Sequence, residues 1–90
     1  MRLSATAYCG SGLTHSGKRA RAGIVAADPR QLPIGTVIRI VPGRRTYTVE
    51  DTGSGIKGRE LDIYMPSCHA ARKFGRRHVR VEILRRASLR

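Results

Sequence analysis

The sequence predicts an all-β domain, a small closed or nearly closed barrel with one short helix inserted. Two observations predict this fold class. Six short runs are β-branched or alternate apolar with polar residues, with turn signals between them, and a single further run has helical spacing. Because closing a sheet removes its exposed edges, a barrel is a common arrangement for several short strands. The 90 residues suffice for one domain, which we place at 1–90.

The first half of the chain supplies four of the predicted strands. A Gly-, Ser- and Arg-rich loop at 10–21 separates the first two. Asp28-Pro29 ends the second, because proline favours extended geometry in the residue before it. A hairpin-like turn at 42–45 joins the third to the fourth. The four strands are Leu3–Tyr8, Ile24–Ala27, Thr36–Val41 and Thr46–Asp51.

The second half supplies a short strand, the helix and a final strand. The strand Leu61–Tyr64 precedes the helix Ser67–Phe74, for which Ser67 is the expected N-cap and Gly75 the end. His78–Leu84 then alternates regularly, with its β-branched residues on one face. The remaining residues, 85–90, form a basic tail.

The charge of the chain is strongly positive. Eighteen Lys and Arg stand against six Asp and Glu, for a net charge of +12. Such a surface attracts polyanions, whether nucleic acid, an anionic membrane surface or an acidic cell-wall polymer. The basic clusters are scattered along the chain, and there is no Trp and a single Phe, so platforms for base stacking are sparse. We therefore do not expect a nucleic-acid partner, and no apolar run is long enough to predict membrane insertion.

The two cysteines, Cys9 and Cys68, allow one pairing. In an oxidising compartment a disulfide would close a loop of about sixty residues, which stabilises by about 4 kcal/mol in the chain-entropy model. Two free thiols are the alternative. A zinc site is disfavoured because there is no Cys-x-x-Cys and because Cys68 and His69 are adjacent.

Three aspartates, Asp28, Asp51 and Asp62, are the only Asp residues in this basic chain. Asp28 precedes a proline, and the interpretation we favour for it is a turn former whose carboxylate caps nearby amides. Asp51 stands where a strand meets the glycine-rich segment 52–55, whose backbone can approach a ligand closely.

Asp62 alternates with Leu61 and Ile63, so if those two face the core, Asp62 and Tyr64 share the opposite face. An ionised Asp51 nearby would raise the pKa of Asp62, as a general acid at neutral pH requires. The alternative is that both carboxylates bond loop amides and pair with Arg59 or Lys57.

Many spaced positions resemble the three-aspartate (3D) domain of bacterial cell-wall lytic enzymes, a family that includes the A-type membrane-bound lytic transglycosylases. The similar segments are Thr6-Ala-Tyr8, Thr14-x-Ser-Gly17, Ala26-Ala-Asp-Pro29, Leu32-Pro-Ile-Gly-Thr36, Asp51-Thr-Gly53, Ile56-Lys-Gly58, Leu61-Asp-Ile-Tyr64 and Phe74-Gly-Arg-Arg77. Where the family often has Gly-Gly-Ala after the Thr, this chain has Gly53-Ser54-Gly55. The resemblance implies a six-stranded double-psi β-barrel.

The resemblance also implies an activity, lytic transglycosylation of the glycan strands of peptidoglycan. Asp62 then matches the catalytic acid/base, Asp51 its carboxylate partner and Asp28 the third aspartate. No metal or organic cofactor is implied. The residues expected to position the sugars are Thr14, Gly53, Ser54, Gly55, Lys57 and Tyr64.

The implied setting is secreted, at the cell wall or in the periplasm. Because Met1 leads straight into strand-like sequence, we expect a leader or upstream region to be absent from this chain, and we expect a monomer.

Two other functions remain open at this point. One is a non-catalytic barrel that binds or loosens cell-wall polysaccharide, although a binder has no need of a titrating pair of carboxylates. The other is a simple hydrolase, in which Asp28 or Glu60 would hold a water molecule.

Overall fold

The computed structural model describes residues 1–10, 17, 19–53 and 55–87. Within them lie six strands and one helix, close to the predicted elements. The elements are β1 (Arg2–Tyr8), β2 (Ile24–Ala27), β3 (Val37–Val41), β4 (Thr46–Asp51), β5 (Glu60–Tyr64), α1 (Cys68–Phe74) and β6 (Arg77–Arg85).

The six strands close into one barrel in the order β1-β5-β2-β4-β3-β6. The pairs β1/β5 and β2/β4 are parallel, and the other four pairs are antiparallel. This closed, mixed, six-stranded barrel with one short helix confirms the predicted double-psi class.

Strands β1 and β5 begin one residue earlier than predicted, and β6 is one residue longer at each end. Two further boundaries differ for a local reason. Strand β3 begins at Val37 because the amide of Thr36 donates to the carbonyl of Pro33 at 3.0 Å, which makes Thr36 the end of a turn. Helix α1 begins at Cys68, and the Ser67 hydroxyl caps it by accepting the Ala70 amide at 3.1 Å. Ser67 is therefore the N-cap, as predicted.

The core fills the barrel with aliphatic side chains that alternate along the strands. Along β6, Val81 is buried and Val79 and Ile83 pack against the core, while the intervening residues are exposed. The buried core residues are Leu3, Ala5, Val25, Ala27, Leu32, Ile38, Val49, Leu61, Ile63 and Val81.

A disulfide joins Cys9, just after β1, to Cys68, the first residue of α1, across a Cα–Cα distance of 5.1 Å. Of the two alternatives left open for the cysteines, the structure has the disulfide, and it fastens the helix to the barrel beside the end of β1. Among the described residues, no helix is long and apolar enough to cross a membrane.

Candidate functional site

Strand β5 carries Asp62 on the outer face of the barrel. Leu61 and Ile63 are buried in the core. Asp62, between them, and Tyr64, after them, are half-buried on the opposite face, as the alternation predicted. The neighbouring strand β1 places Thr6 directly opposite Asp62, and the Thr6 hydroxyl donates to Asp62 Oδ1 at 2.9 Å. Sequence reasoning did not single out Thr6 as a partner of Asp62, because the β1/β5 pairing is not visible along the chain.

A register shift brings Asp51 beside Asp62. Strand β2 lies between β5 and β4, and Ala26 is paired with Asp62 on one side and Asp51 on the other. One step earlier, Val25 is paired with Val49, so the pairing skips Glu50 and the ladder has a β-bulge there. Regular alternation would have placed Asp51 on the same side as buried Val49. The bulge instead sets Asp51 level with Asp62 across the sheet, with their backbones two strand spacings, or about 10 Å, apart.

We call this surface, made of Asp62, Ala26 and Asp51 with Thr6 beside them, the aspartate face. The skipped residue, Glu50, is itself buried, at 5% exposed. It is held by the guanidinium of Arg21 through two bonds, one of 2.9 Å to Oε1 and one of 2.5 Å to Oε2. Sequence reasoning missed this pair, and the only available signal was an acid directly after Val49 in a strand of β-branched and aromatic residues.

The pKa of Asp62 is raised above its ordinary value. Burial is the largest cause, since it penalises the charged form. The Thr6 hydroxyl acts in the opposite direction by stabilising the carboxylate, and the negative charge of Asp51 raises the pKa further. The expected direction of the shift is therefore present, but burial contributes more than the Asp51 charge from which it was predicted.

Two tyrosines border the aspartate face. The rings of Tyr8 and Tyr64 meet edge to face, with centroids 5.3 Å apart. The Tyr64 hydroxyl donates to the carbonyl of Gly10 at 2.6 Å. The hydroxyl of Tyr8 is buried, and its pKa is raised by burial first and then by the charges of Asp51 and Asp62. Its contact with the Asp51 carboxylate contributes too, although it falls outside standard hydrogen-bond geometry. Tyr8 is thus a buried neighbour of both carboxylates.

Asp28 is buried, at 4% exposed, and its carboxylate caps amides as our favoured interpretation predicted. It accepts the Arg30 amide at 3.0 Å, the Arg30 guanidinium at 3.1 Å and the Gly58 amide at 2.8 Å. The Arg30 guanidinium and then the two amides hold the pKa of Asp28 well below its usual range. Gly58 has φ of 63°, in the left-handed region that favours glycine. Asp28 therefore ties the turn after β2 to the loop that follows Asp51.

That loop begins at the aspartate face itself. The Asp51 carboxylate accepts the amide of Thr52 at 2.9 Å. At Gly53 a Cβ atom would lie 3.3 Å from the Ile56 side chain, so a larger residue would crowd the turn. The Lys57 amide donates to Glu60 at 3.1 Å, which directs the chain into β5.

Of the predicted site residues, Gly53, Gly55 and Lys57 lie on the loop between Asp51 and β5, and Tyr64 lies on β5 two residues after Asp62. Asp28 is bonded to the same loop through the Gly58 amide. Thr14 and Ser54 lie outside the described residues.

The arrangement provides the parts of an acid-assisted reaction. A half-buried carboxyl group with a raised pKa can donate a proton, and a neighbouring carboxylate can stabilise positive charge. No group of three or more His, Cys, Asp or Glu within the described part of the chain could hold a metal ion.

Residues 23–85 match the family model of the 3D domain. The chain belongs to the 3D domain family. This 3D domain is 34% identical over 93 residues to the cell wall-binding protein YocH of Bacillus subtilis (strain 168), and covers 32% of it. It is 33% identical over 93 residues to the putative cell wall shaping protein YabE of the same organism, and covers 23% of that protein. In each case 93% of the 3D domain takes part, so it spans a third or less of these curated relatives.

The barrel is also similar to solved structures of MltA from E. coli. One crystal structure aligns with a TM-score of 0.67 and 25% identity, over 84% of this 3D domain and 28% of that chain. A second, of MltA with bound chitohexaose, aligns with a TM-score of 0.70 and 23% identity, over 88% of this domain and 29% of that chain. The second likeness shows the shared fold alone.

Proposed function

We propose that this chain is a lytic transglycosylase that cleaves the bond between N-acetylmuramic acid and N-acetylglucosamine in peptidoglycan. The observation that carries the proposal is the pairing of Asp62 and Asp51 on either side of Ala26. Asp62 is half-buried with a raised pKa, so it is suited to hold a proton before the reaction.

In the first step Asp62 donates its proton to the glycosidic oxygen, and the bond from that oxygen to the anomeric carbon of the muramic acid breaks. The sugar becomes oxocarbenium-like as the bond lengthens. The Asp51 carboxylate, on the same face, stabilises the positive charge.

In the second step the same residue acts as a base. The Asp62 carboxylate takes the proton of the muramic acid 6-hydroxyl, and that oxygen attacks the anomeric carbon to close a 1,6-anhydro ring. Asp62 ends protonated, as it began, and no water is consumed. One acid/base therefore serves both steps.

The remaining candidate residues have two tasks: to contact the sugars and to support the loop between Asp51 and β5. Tyr64, two residues after Asp62, and the backbone of Gly53 and Gly55, in the loop after Asp51, would contact the sugars. Thr14, Ser54 and Lys57 are assigned the same task. Asp28 supports the loop from beneath through its bond to the Gly58 amide, which makes it a positioning residue.

The relatives support a cell-wall setting. YocH and YabE are named for cell wall binding and shaping, and MltA is named a lytic transglycosylase. A disulfide is typical of an oxidising compartment outside the cytoplasm. We therefore assign the chain to the cell wall or periplasm, with peptidoglycan glycan strands as its partner.

One observation favours a second candidate, a barrel that binds wall polysaccharide without cutting it. YocH, at 34% identity, is named a cell wall-binding protein. In that function the aspartates would bond sugar hydroxyls, and the raised pKa of Asp62 would have no role.

The test is digestion of purified peptidoglycan followed by mass spectrometry of the released sugars. Anhydro-muramic ends are expected. Hydrated reducing ends would replace the proposal with a hydrolase, and retention on the insoluble wall without any release would replace it with the binder. Glu82→Gln is a matched control, because Glu82 pairs with Arg39 on the strands β6 and β3, away from the aspartate face.

A further inference from the structure

A cavity of about 430 Å³ opens at the end of the barrel where β3 and β5 finish and β4 and β6 begin. Its floor is apolar and includes Ile40, Tyr47, Met65 and Phe74. Asp51 is the last residue of β4, four residues beyond Tyr47, or roughly 13 Å along the strand. Ile63, next to Asp62 on β5, also lines the cavity, but it is a buried core residue and Asp62 lies on the opposite face of the strand. The cavity therefore opens on a different surface from the aspartate face, and its volume is within the usual range for ligand sites.

The rim of this cavity continues into two more cavities. One, of about 300 Å³, shares His78 and Arg80 and adds Arg2, and the other, of about 430 Å³, shares His78 and Arg2 and adds Arg59. His78 lines all three, so they form one continuous surface. We call this surface the basic groove, and its cations are Arg2, Arg44, Arg45, Arg59, Arg77 and Arg80.

Among the described residues that line the three cavities, none is acidic. Among the described residues, the ion pairs occupy four arginines outside the groove: Arg21, Arg30, Arg39 and Arg76. Of the groove arginines, Arg77 lies 4.4 Å from the centre of the Phe74 ring, and its Nε donates to the Phe74 carbonyl. Six arginines thus line one surface, and none of them takes part in the ion pairs found among the described residues. Such a surface attracts an anionic ligand.

From this geometry we infer that the basic groove binds a polyanion in which phosphate groups are separated by short uncharged polyol units. The length of the groove over three cavities suits an extended chain better than a single ion. Guanidinium groups engage phosphate oxygens in pairs, and a phosphodiester keeps its charge at every pH of interest. The apolar floor between the arginines suits the C–H groups of the uncharged polyol units.

A nucleic acid fits the groove less well. Single strands bind by stacking bases on aromatic rings, and among its described lining residues the groove has two aromatic side chains, Tyr47 and Phe74. Arg77 covers a face of Phe74, and Tyr47 is partly buried against the core. A polyol phosphate needs no ring to stack on, so it is the ligand that the groove favours.

The test uses fluorescently labelled poly(glycerol phosphate) and the full chain with its disulfide intact. Anisotropy titrations over a range of salt concentrations give the affinity and its salt dependence. The variant Arg44→Gln/Arg45→Gln/Arg80→Gln should weaken binding about tenfold or more and flatten its dependence on salt, because fewer counterions are released.

The matched control, Arg72→Gln/Lys73→Gln/Arg85→Gln, removes the same charge from residues outside the groove. It should change affinity less than about threefold. An equal loss in both variants would overturn the inference, because attraction would then depend on net charge alone. Equal affinity of the unmodified chain for poly-glutamate or for single-stranded DNA would also overturn it.

The inference is separable from the proposed function. Cleavage of polymer-free peptidoglycan by the groove variant is expected to match that of the unmodified chain. An inactive chain that still binds poly(glycerol phosphate) would contradict the proposed enzyme and leave the groove inference supported.

Discussion

The aspartate face and the basic groove hold their charges in opposite ways. Around the aspartate face, hydrogen-bond donors hold each carboxylate in place. The Thr6 hydroxyl donates to Asp62 and the Thr52 amide to Asp51, while Asp28 accepts from three donor groups. Along the basic groove, arginines line cavities whose described lining residues include no Asp or Glu. Fixed charges cost little reorganisation during a reaction, whereas uncompensated charges attract a ligand from a distance. The contrast supports glycan cleavage at the aspartate face and polyanion binding at the basic groove.

The largest expected effect comes from removing the acid at the aspartate face. Asp62→Asn should reduce the release of anhydro-muramic products by on the order of 10³-fold, because the amide can neither donate nor retrieve the proton. Product release is measured by mass spectrometry, and circular dichroism checks that the variant folds. Binding at the groove should not change. Full cleavage by this variant would contradict the mechanism.

Removing the disulfide should affect the whole barrel rather than either surface. The double variant Cys9→Ser/Cys68→Ser should lose about 4 kcal/mol of unfolding free energy, since the bridge closes a long loop in the unfolded chain. Urea denaturation measures the loss, and reduction of the unmodified chain should reproduce it. A loss below about 1 kcal/mol would show that the helix and barrel hold together without the bridge.

Asp51→Asn should reduce cleavage by on the order of 10²-fold, through loss of charge stabilisation. It should also change the pH dependence. Because Asp62 acts as an acid, the rate falls as pH rises through its pKa, and the Asp51 charge raises that pKa. Without this charge the fall should move to lower pH. A pH–rate profile tests this, and an unmoved profile would count against electrostatic contact between the two residues.

Asp28→Asn should loosen the loop at Gly58 and lower the melting temperature by roughly 5 °C. The pKa of Asp28 is depressed below its ordinary value of 3.8, so its contribution is present above pH 3.8 and is lost as pH falls below it. The melting temperatures of the two proteins should therefore converge in acid. A constant difference between pH 2 and pH 7 would mean that the carboxylate charge is not involved.

The smallest expected effect is at Thr6. Thr6→Val keeps the shape of the side chain but removes the hydrogen bond that lowers the pKa of Asp62. The fall in rate should then move to higher pH, opposite to the shift in Asp51→Asn, with little change in the maximum rate. A shift in the same direction in both variants would contradict the assignment of Asp62 as the titrating acid.

Alternation along each strand made much of this architecture predictable. The burial of Leu61 and Ile63, and hence the outward placement of Asp62, follows from period-two patterning alone. The placement of Asp51 does not, because it depends on the bulge at Glu50, which arises from the pairing of β4 with β2. The contact of Thr6 with Asp62 and the basic groove could not be predicted either, since each brings together residues from strands that are distant in the chain.

The disulfide has a further consequence for how the chain responds to a protease. Every strand from β2 to β5 lies between Cys9 and Cys68. A protease that cuts once anywhere in that span leaves two fragments that remain covalently attached, so damage would be visible on a reducing gel and hidden on a non-reducing one.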